Sequence, residues 1–295
     1  MDGWNGLELP VQLAALQPEV TPPPVLPRRE RFSHKGDFGR VYILAGSVGF
    51  TGAPVLAAAG ALRAGAGLVR VGVTKDAYPA VAAKLVCAMP HPLPETNALG
   101  GILQICRGMD SVLIGPGWGT AGDAPLVARG VIEWVDAPLV VDADGLNALA
   151  GHIDILKARR DKVTVLTPHF GEFCRLLGET PENPYEAAKE FAAVHGCTLV
   201  LKGHRTLIAL PSGKALVNPT GNPGMASGGS GDVLAGMTAA FLAQGFPVEW
   251  AASAAVYLHG RAGDLAAAAL GEYAMTAGDL AEYLPAAMKE AEERS

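Results

Sequence analysis

Val41-Tyr42-Ile43-Leu44-Ala45, the loop Gly46-Ser47-Val48-Gly49-Phe50-Thr51, the Ala-rich stretch Gly52–Ala64 and the run Leu68-Val69-Arg70-Val71-Gly72-Val73 together decide the fold. A short apolar run, a glycine-rich turn, a helical stretch and a second apolar run make one strand–helix–strand unit. Both runs are nearly all apolar rather than alternating, which predicts strands buried on both faces, as in a parallel sheet. Working outward, the same reading gives strands at Ser111–Ile114, Leu139–Val141, Val163–Leu166 and Thr198–Leu201. Further helices are predicted at Ala77–Leu85, Ala124–Trp134, Glu172–Leu177, Pro184–His195, Asp232–Gln244, Glu249–Ala269 and Ala277–Glu293. Such alternation implies a doubly wound α/β sheet with helices on both faces. Thr206–Leu210, the turn Pro211-Ser212-Gly213 and Ala215–Val217 read as a hairpin, so the sheet is mixed at one edge.

The chain has 295 residues, within reach of a single domain. Residues 1–30, which include Pro22-Pro23-Pro24 and end near Arg28-Arg29-Glu30-Arg31, read as a Pro-rich tail with at most one short helix near Val11–Leu16. Residues 31–295 form the domain. With 23 basic and 29 acidic side chains the net charge is −6, and no basic footprint for nucleic acid or anionic membrane exists. No apolar run is long enough to span a bilayer, no secretory signal is visible, and the four cysteines form no C-x-x-C pair. These features predict a cytoplasmic protein with small buried thiols.

Glycine is in excess at 37 residues, and 19 of them cluster in 36–72, 115–122 and 221–236. In open α/β sheets ligands bind beyond the carboxyl ends of the strands. Five predicted strand ends deliver polar or glycine residues there: Gly46-Ser47, Gly115-Pro116-Gly117, Asp142-Ala143-Asp144-Gly145, Thr167-Pro168-His169 and Lys202-Gly203-His204. A small-molecule site accounts for that convergence.

Asn222-Pro223-Gly224-Met225-Ala226-Ser227-Gly228-Gly229-Ser230-Gly231-Asp232 then leads into a helix. Free N–H groups at the positive end of a helix dipole suit a phosphate, although neither a P-loop nor a dinucleotide fingerprint is present. Asp232 is open to two readings: an acid in the first helical turn, or a carboxylate beside an anion loop that takes a proton from an attacking hydroxyl. Asp142, Asp144 and Asn147 follow a buried strand, a frequent position for ligand or metal contacts, but none is assigned as a metal ligand, and capping of the helix from Gly145 is an equally good reading of Asp144. His259-Gly260-Arg261-Ala262-Gly263-Asp264 sits in a helix where its glycines permit close helix packing.

Gly228-Gly229-Ser230-Gly231-Asp232-Val233-Leu234-Ala235-Gly236 resembles the anion-hole motif of ribokinase-like proteins. More narrowly, the chain is similar to the ADP/ATP-dependent NAD(P)H-hydrate dehydratases. The likeness runs through Lys35-Gly36-Asp37-Phe38-Gly39-Arg40, Gly49-Phe50-Thr51-Gly52-Ala53-Pro54 and Arg63-Ala64-Gly65-Ala66-Gly67-Leu68-Val69. It continues through Gly115-Pro116-Gly117-Trp118-Gly119, Asp142–Leu149, Leu166-Thr167-Pro168-His169-Phe170-Gly171-Glu172 and Lys202-Gly203-His204-Arg205-Thr206.

The resemblance implies a three-layer α/β/α sandwich and a carbon–oxygen lyase that repairs NADH or NADPH hydrated at C6. ADP or ATP phosphorylates the hydroxyl, and phosphate is then eliminated. Asp232 would be the base, with the Gly228, Gly229, Ser230 and Gly231 segment as the anion hole. Ala53, Gly117, His169 and Asp232 would contact NADH-hydrate or NADPH-hydrate, and Lys202, Gly203, His204, Arg205, Thr206 and Gly231 the adenine nucleotide. For His169 a helix-capping role stays open, and Glu172 reads either as a water-mediated magnesium contact or as a first-turn acid. The resemblance further implies Mg2+, with no assigned ligand, a homotetramer, a leaning towards ADP, and a separate epimerase to supply the usable epimer. It also makes the glycines of 36–72, with Gly117, a surface for the dinucleotide, and those of 221–236 a cradle for the phosphoryl group. Two rivals share the fold: a small-molecule kinase that releases a stable phosphorylated product, and a non-catalytic nucleotide sensor, which a replaced Asp232 would have favoured.

Overall fold

The computed structural model describes residues 11–94 and 96–295. The amino-terminal half contains α1 (Val11–Ala15), β1 (Glu19–Val20), β2 (Arg40–Leu44), α2 (Ala53–Arg63), β3 (Leu68–Val73), α3 (Tyr78–Ala82), β4 (Met89–Pro92) and α4 (Ala98–Cys106). The middle adds β5 (Ser111–Ile114), α5 (Ala124–Trp134), β6 (Leu139–Val141), α6 (Asp144–Leu149), β7 (Thr164–Leu166), α7 (Phe170–Leu177) and α8 (Pro184–His195). Then follow β8 (Thr198–Leu201), β9 (Leu207–Ala209), β10 (Ala215–Val217), α9 (Ser230–Ala243), α10 (Val248–Leu270) and α11 (Ala277–Glu292).

The strands form one sheet in the order β1-β10-β9-β8-β7-β6-β5-β2-β3-β4. From β8 to β4 every pairing is parallel, and β9 alone runs against its neighbours. Period-two alternation sorts each central strand between two cores. Val41 and Ile43 face a layer with α2, α9, α10 and α11, whereas Tyr42 and Leu44 face a layer with α4, α5, α7 and α8. Burial on both faces is why these strands lack polar alternation.

The expected hairpin is β9–β10, closed by Leu210 and Lys214. It is not the outermost element, because β1 pairs in parallel beyond β10. Residues 11–30 are thus integrated rather than trailing: Leu13 is fully buried in one core and Leu26 is buried in the other. A two-residue strand has too little sequence to announce itself. Residues 1–10 of the expected tail lie outside the described residues. Strand β4 and helix α4 were not anticipated either, since Pro90 and Pro92 disguise an edge strand. Cys106 and Cys197 are buried, and burial pushes both thiols up to about 12, but Cys87 is exposed, contrary to the expected burial. Among the described residues no helix is long and apolar enough to cross a membrane.

Helices α2 and α9 touch backbone to backbone. A methyl group added at Gly236 would run into the Ala57 carbonyl, and one at Gly60 into that of Val233. This contact seats the start of α9 over the sheet. Gly236→Ala should therefore cost about 1–3 kcal/mol through overpacking, read as a lower denaturation midpoint at unchanged m-value.

Candidate active site

The expected strand ends do converge. The carboxyl ends of β8, β7, β6, β5 and β2 are consecutive in the sheet, a rim of four strand spacings, or about 19 Å. Connections leave β2 and β5 toward opposite faces and opposite edges, so the topological switch point lies between them. At that point Gly46 N–H donates to Pro116 O (2.9 Å) and Ser47 Oγ donates to Gly117 O (2.9 Å). Gly117 adopts φ +57, and a Cβ there would stand 3.0 Å from the Ala53 Cβ and 2.8 Å from that of Phe50. Ala53 and Gly117 are accordingly neighbours at the start of α2.

Toward β8 the rim is charged. Lys202 Nζ donates to Asp142 Oδ1 at 2.8 Å, and Thr167 Oγ1 donates to the same oxygen at 2.8 Å. Lys202 Nζ also lies 3.8 Å from Glu172 Oε2. A Cβ on Gly231 would sit 3.1 Å from Lys202 Nζ and 3.8 Å from Asp142 Oδ2, so the glycine-rich loop ahead of α9 abuts this ion pair. Burial opposes the charge on Lys202, but Asp142, Glu172 and Asp232 outweigh it and hold its pKa above the ordinary lysine value.

Asp232 occupies the first turn of α9, behind Gly229 at φ +96. The helix dipole favours its ionised form, yet its pKa is pushed up to about 7. Burial is the main cause and the charges of Asp142, Asp144 and Glu172 add to it, with Lys202 pulling the other way. Four carboxylates thus share one ammonium. The group is poised near neutrality, where a proton acceptor works best.

Several open readings acquire a geometry. His169 caps α7: its Nδ1 accepts from Glu172 N–H (3.2 Å) while Glu172 Oε2 accepts from His169 N–H (2.8 Å). The His169 side chain remains 55% exposed at the rim, with Nε2 3.6 Å from Glu172 Oε1. Glu172 serves as the first-turn acid of that capping box. Asp144 does not cap α6; its carboxylate accepts from Gly119 N–H (2.8 Å) and from Asn147 Nδ2 (3.0 Å) and so anchors the 115–119 loop. In the 202–206 segment Thr206 Oγ1 closes a turn on Gly203 O (3.1 Å), Arg205 (φ +58) donates to Pro219 O (2.6 Å), and Gly203 and His204 are exposed. The loop ahead of α9 leaves Gly228 exposed and Ser230 buried.

Two expectations are corrected. Gly36, Gly39, Gly65 and Gly67 do not reach the rim: Gly39 precedes β2 and Gly67 precedes β3, at the opposite, amino ends of the strands. There Gly67 lies against the Lys35 backbone and Gly39 against Ala243. Gly260 and Gly263 of α10 do not serve helix packing; they admit Thr220 and Met225 of the preceding loop. The Lys202–Asp142–Thr167 cluster as a unit escaped sequence reasoning, since its members are 25 to 60 positions apart. The one available clue was that each follows a buried strand. Among the described residues no group of three His, Cys, Asp or Glu side chains is arranged to hold a metal ion.

A family model described as NAD(P)H-hydrate dehydratase matches residues 41–286. The bifunctional NAD(P)H-hydrate repair enzyme of Moorella thermoacetica is 44% identical over 279 residues, 91% of this chain but 52% of that enzyme. The chain thus spans about half the length of such bifunctional relatives. The ADP-dependent (S)-NAD(P)H-hydrate dehydratase of Neisseria meningitidis serogroup B is 39% identical, with 92% of this chain and 91% of that protein covered. Among solved structures, the ADP/ATP-dependent NAD(P)H-hydrate dehydratase of Bacillus subtilis, co-crystallized with ATP/Mg2+, superposes with a TM-score of 0.76 at 33% identity. That superposition covers 90% of this chain and 95% of the other. In architecture and in sequence, this chain belongs to the NAD(P)H-hydrate dehydratase family.

Proposed function

We propose that the chain dehydrates (S)-NADH-hydrate and (S)-NADPH-hydrate to NADH and NADPH, using ADP or ATP as phosphoryl donor. The reading rests above all on one juxtaposition: Asp232, held near neutral pKa, follows a glycine loop whose Gly231 lies against Lys202. Asp232 takes the C6 hydroxyl proton as that oxygen attacks the terminal phosphorus of the nucleotide. The bond from that phosphorus to the nucleotide's bridging oxygen breaks, releasing AMP from ADP or ADP from ATP. The C6–O bond of that ester then breaks, phosphate leaves with the bonding pair, and a proton lost from the adjacent C5 to water restores the C5–C6 double bond. The amides of Gly228, Gly229, Ser230 and Gly231 meet charge on the moving phosphoryl group, and Lys202 adds a cation beside them. Ala53, Gly117 and His169 flank the hydrated dinucleotide, and Lys202, Gly203, His204, Arg205 and Thr206 with Gly231 hold the nucleotide.

An Mg2+ that reaches the site on nucleotide phosphates would face Asp142, Asp144 and Glu172 through its water shell, since no three carboxylates among the described residues are arranged to bind it directly. Such an ion would supply neutralisation of phosphate charge, while the protein's own part is to hold Asp232 and the loop in place. A cytoplasmic homotetramer, linked in function to an NAD(P)H-hydrate epimerase, completes the proposal.

The test mixes purified protein, NADH-hydrate, magnesium and either ADP or ATP, and follows absorbance in the reduced-nicotinamide band. Recovery of the band with release of phosphate supports dehydration. A stable phosphorylated product instead supports a small-molecule kinase, and no turnover with either nucleotide rejects both. Asp232→Asn should lower turnover by roughly 10²–10⁴-fold while nucleotide still binds in calorimetry; near-normal turnover would refute the assigned base.

Asp232 must be ionised to accept a proton, so the rate should fall as pH drops through about 7. Asp142→Asn removes one of the charges that raise the Asp232 pKa, so this limb should move to lower pH. Stability follows the same linkage. A carboxyl whose folded pKa is raised from 3.8 to about 7 loses stabilisation as pH rises through that interval. Asp232→Asn should therefore melt above the wild type at about pH 8, with the gap closing toward about pH 4.

A further inference from the structure

One stretch of α10 touches the anion-loop segment at four places. Thr220 Oγ1 donates to Tyr257 O at 2.8 Å. The Asp264 carboxylate accepts from Gly221 N–H through Oδ2 (3.1 Å) and from Asn222 Nδ2 through Oδ1 (3.1 Å). Asn222 in turn caps the short turn Pro223–Met225 by accepting from Gly224 N–H at 3.0 Å. His259, buried in the same stretch, has Nε2 3.0 Å from Ser230 O and 3.4 Å from Ser230 Oγ. Between these contacts Gly260 and Gly263 carry no side chain, so Thr220 and Met225 pack directly on the helix. Residues 257, 264, 260, 263 and 259 succeed one another around the helix over an arc of roughly 160° at 3.6 residues per turn, so one half of α10 makes every contact.

We infer that this face of α10 is the template for the anion loop, with Asp264 and His259 as positioning residues that set the Gly228–Gly231 amides against the phosphoryl group. The chemistry favours such a device. A loop with four glycines between 221 and 229 pays a large entropy cost to hold one shape, and amides aimed at a developing charge work only when they are already aimed. Asp264 ties the loop's entry and His259 its exit, and neither makes a hydrogen bond to the Asp232 side chain or to residues 202–206, although the charge of Lys202 reaches His259. The inference rests on the phosphoryl-transfer reading for its kinetic consequence, but its structural consequence stands apart from it.

The test uses the full chain with Asp264→Ala, His259→Phe and His259→Gln, the last of which keeps an N–H donor. Hydrogen exchange without nucleotide should be roughly tenfold faster or more in the 219–231 peptides of Asp264→Ala and His259→Phe. Peptides of β2, β5 and β6 should be unchanged. In turnover, kcat should fall about 10- to 100-fold, the loss expected for a catalytic group misplaced by about 1 Å. The KM for ADP should stay within about threefold, and His259→Gln should recover most of kcat. Uniformly faster exchange across the sheet, or a kcat within about twofold of wild type in Asp264→Ala and His259→Phe, would overturn the inference. A wild type without turnover rejects the phosphorylation–elimination reading, and the exchange comparison then decides the positioning claim by itself.

Discussion

The site depends on a buried ion pair that joins two strands which are not neighbours. Lys202 follows β8 and Asp142 follows β6, and their 2.8 Å contact passes the end of β7, where Thr167 shares the same carboxylate oxygen. Asp142 is almost wholly buried and Lys202 largely so. Removing one member of such a pair leaves a stranded charge, a loss of about 3–5 kcal/mol in comparable sites. That constraint forces three strand ends into one register and presents a cation to Gly231. Burial above all, with the charges of Asp142, Asp144 and Glu172 adding to it and Lys202 opposing it, holds Asp232 near neutrality, where the helix dipole alone would leave it strongly ionised.

The two ends of the sheet are given different work. At the carboxyl ends the polar groups face one another and the loops are held by side chains: Asp144 for 115–119, Asp264 for 221–222 and Glu172 for the turn at His169. At the amino ends, glycines let loops lie flat against backbone, and two hollows of about 510 and 320 Å3 lie there, lined by Met109, Trp134 and Ala137 and by Arg28, Phe38 and Met288 respectively. The candidate site is instead marked by the convergence of polar groups at a topological switch point.

Legibility in the sequence followed periodicity and turn chemistry. Helix α8 was readable to its ends, because Pro184 opens it behind Asn183 and Gly196 at φ +66 closes it. The central strands were readable because burial on both faces makes them uniformly apolar. Strands β1 and β4 were not: one is two residues long, and the other carries prolines that its edge position tolerates. The glycine clusters were visible, but their division between rim and base was not, since glycine in a loop means close approach without saying to what.

The sequence by itself determined the class of fold, the loop that enters α9 and the acid that follows it, because hydrophobic period and local backbone demands are written along the chain. It also carried the family, through motifs spread over most of its length. Only the tertiary structure decided which of the many polar residues at strand ends act together. Asp142 pairs with Lys202 across sixty positions, His169 is turned to cap a helix, and Asp264 reaches back to the loop ahead of α9 across more than forty. Burial and summed charge at one point set the protonation of Asp232, and both are properties of packing in three dimensions that no local stretch of sequence encodes.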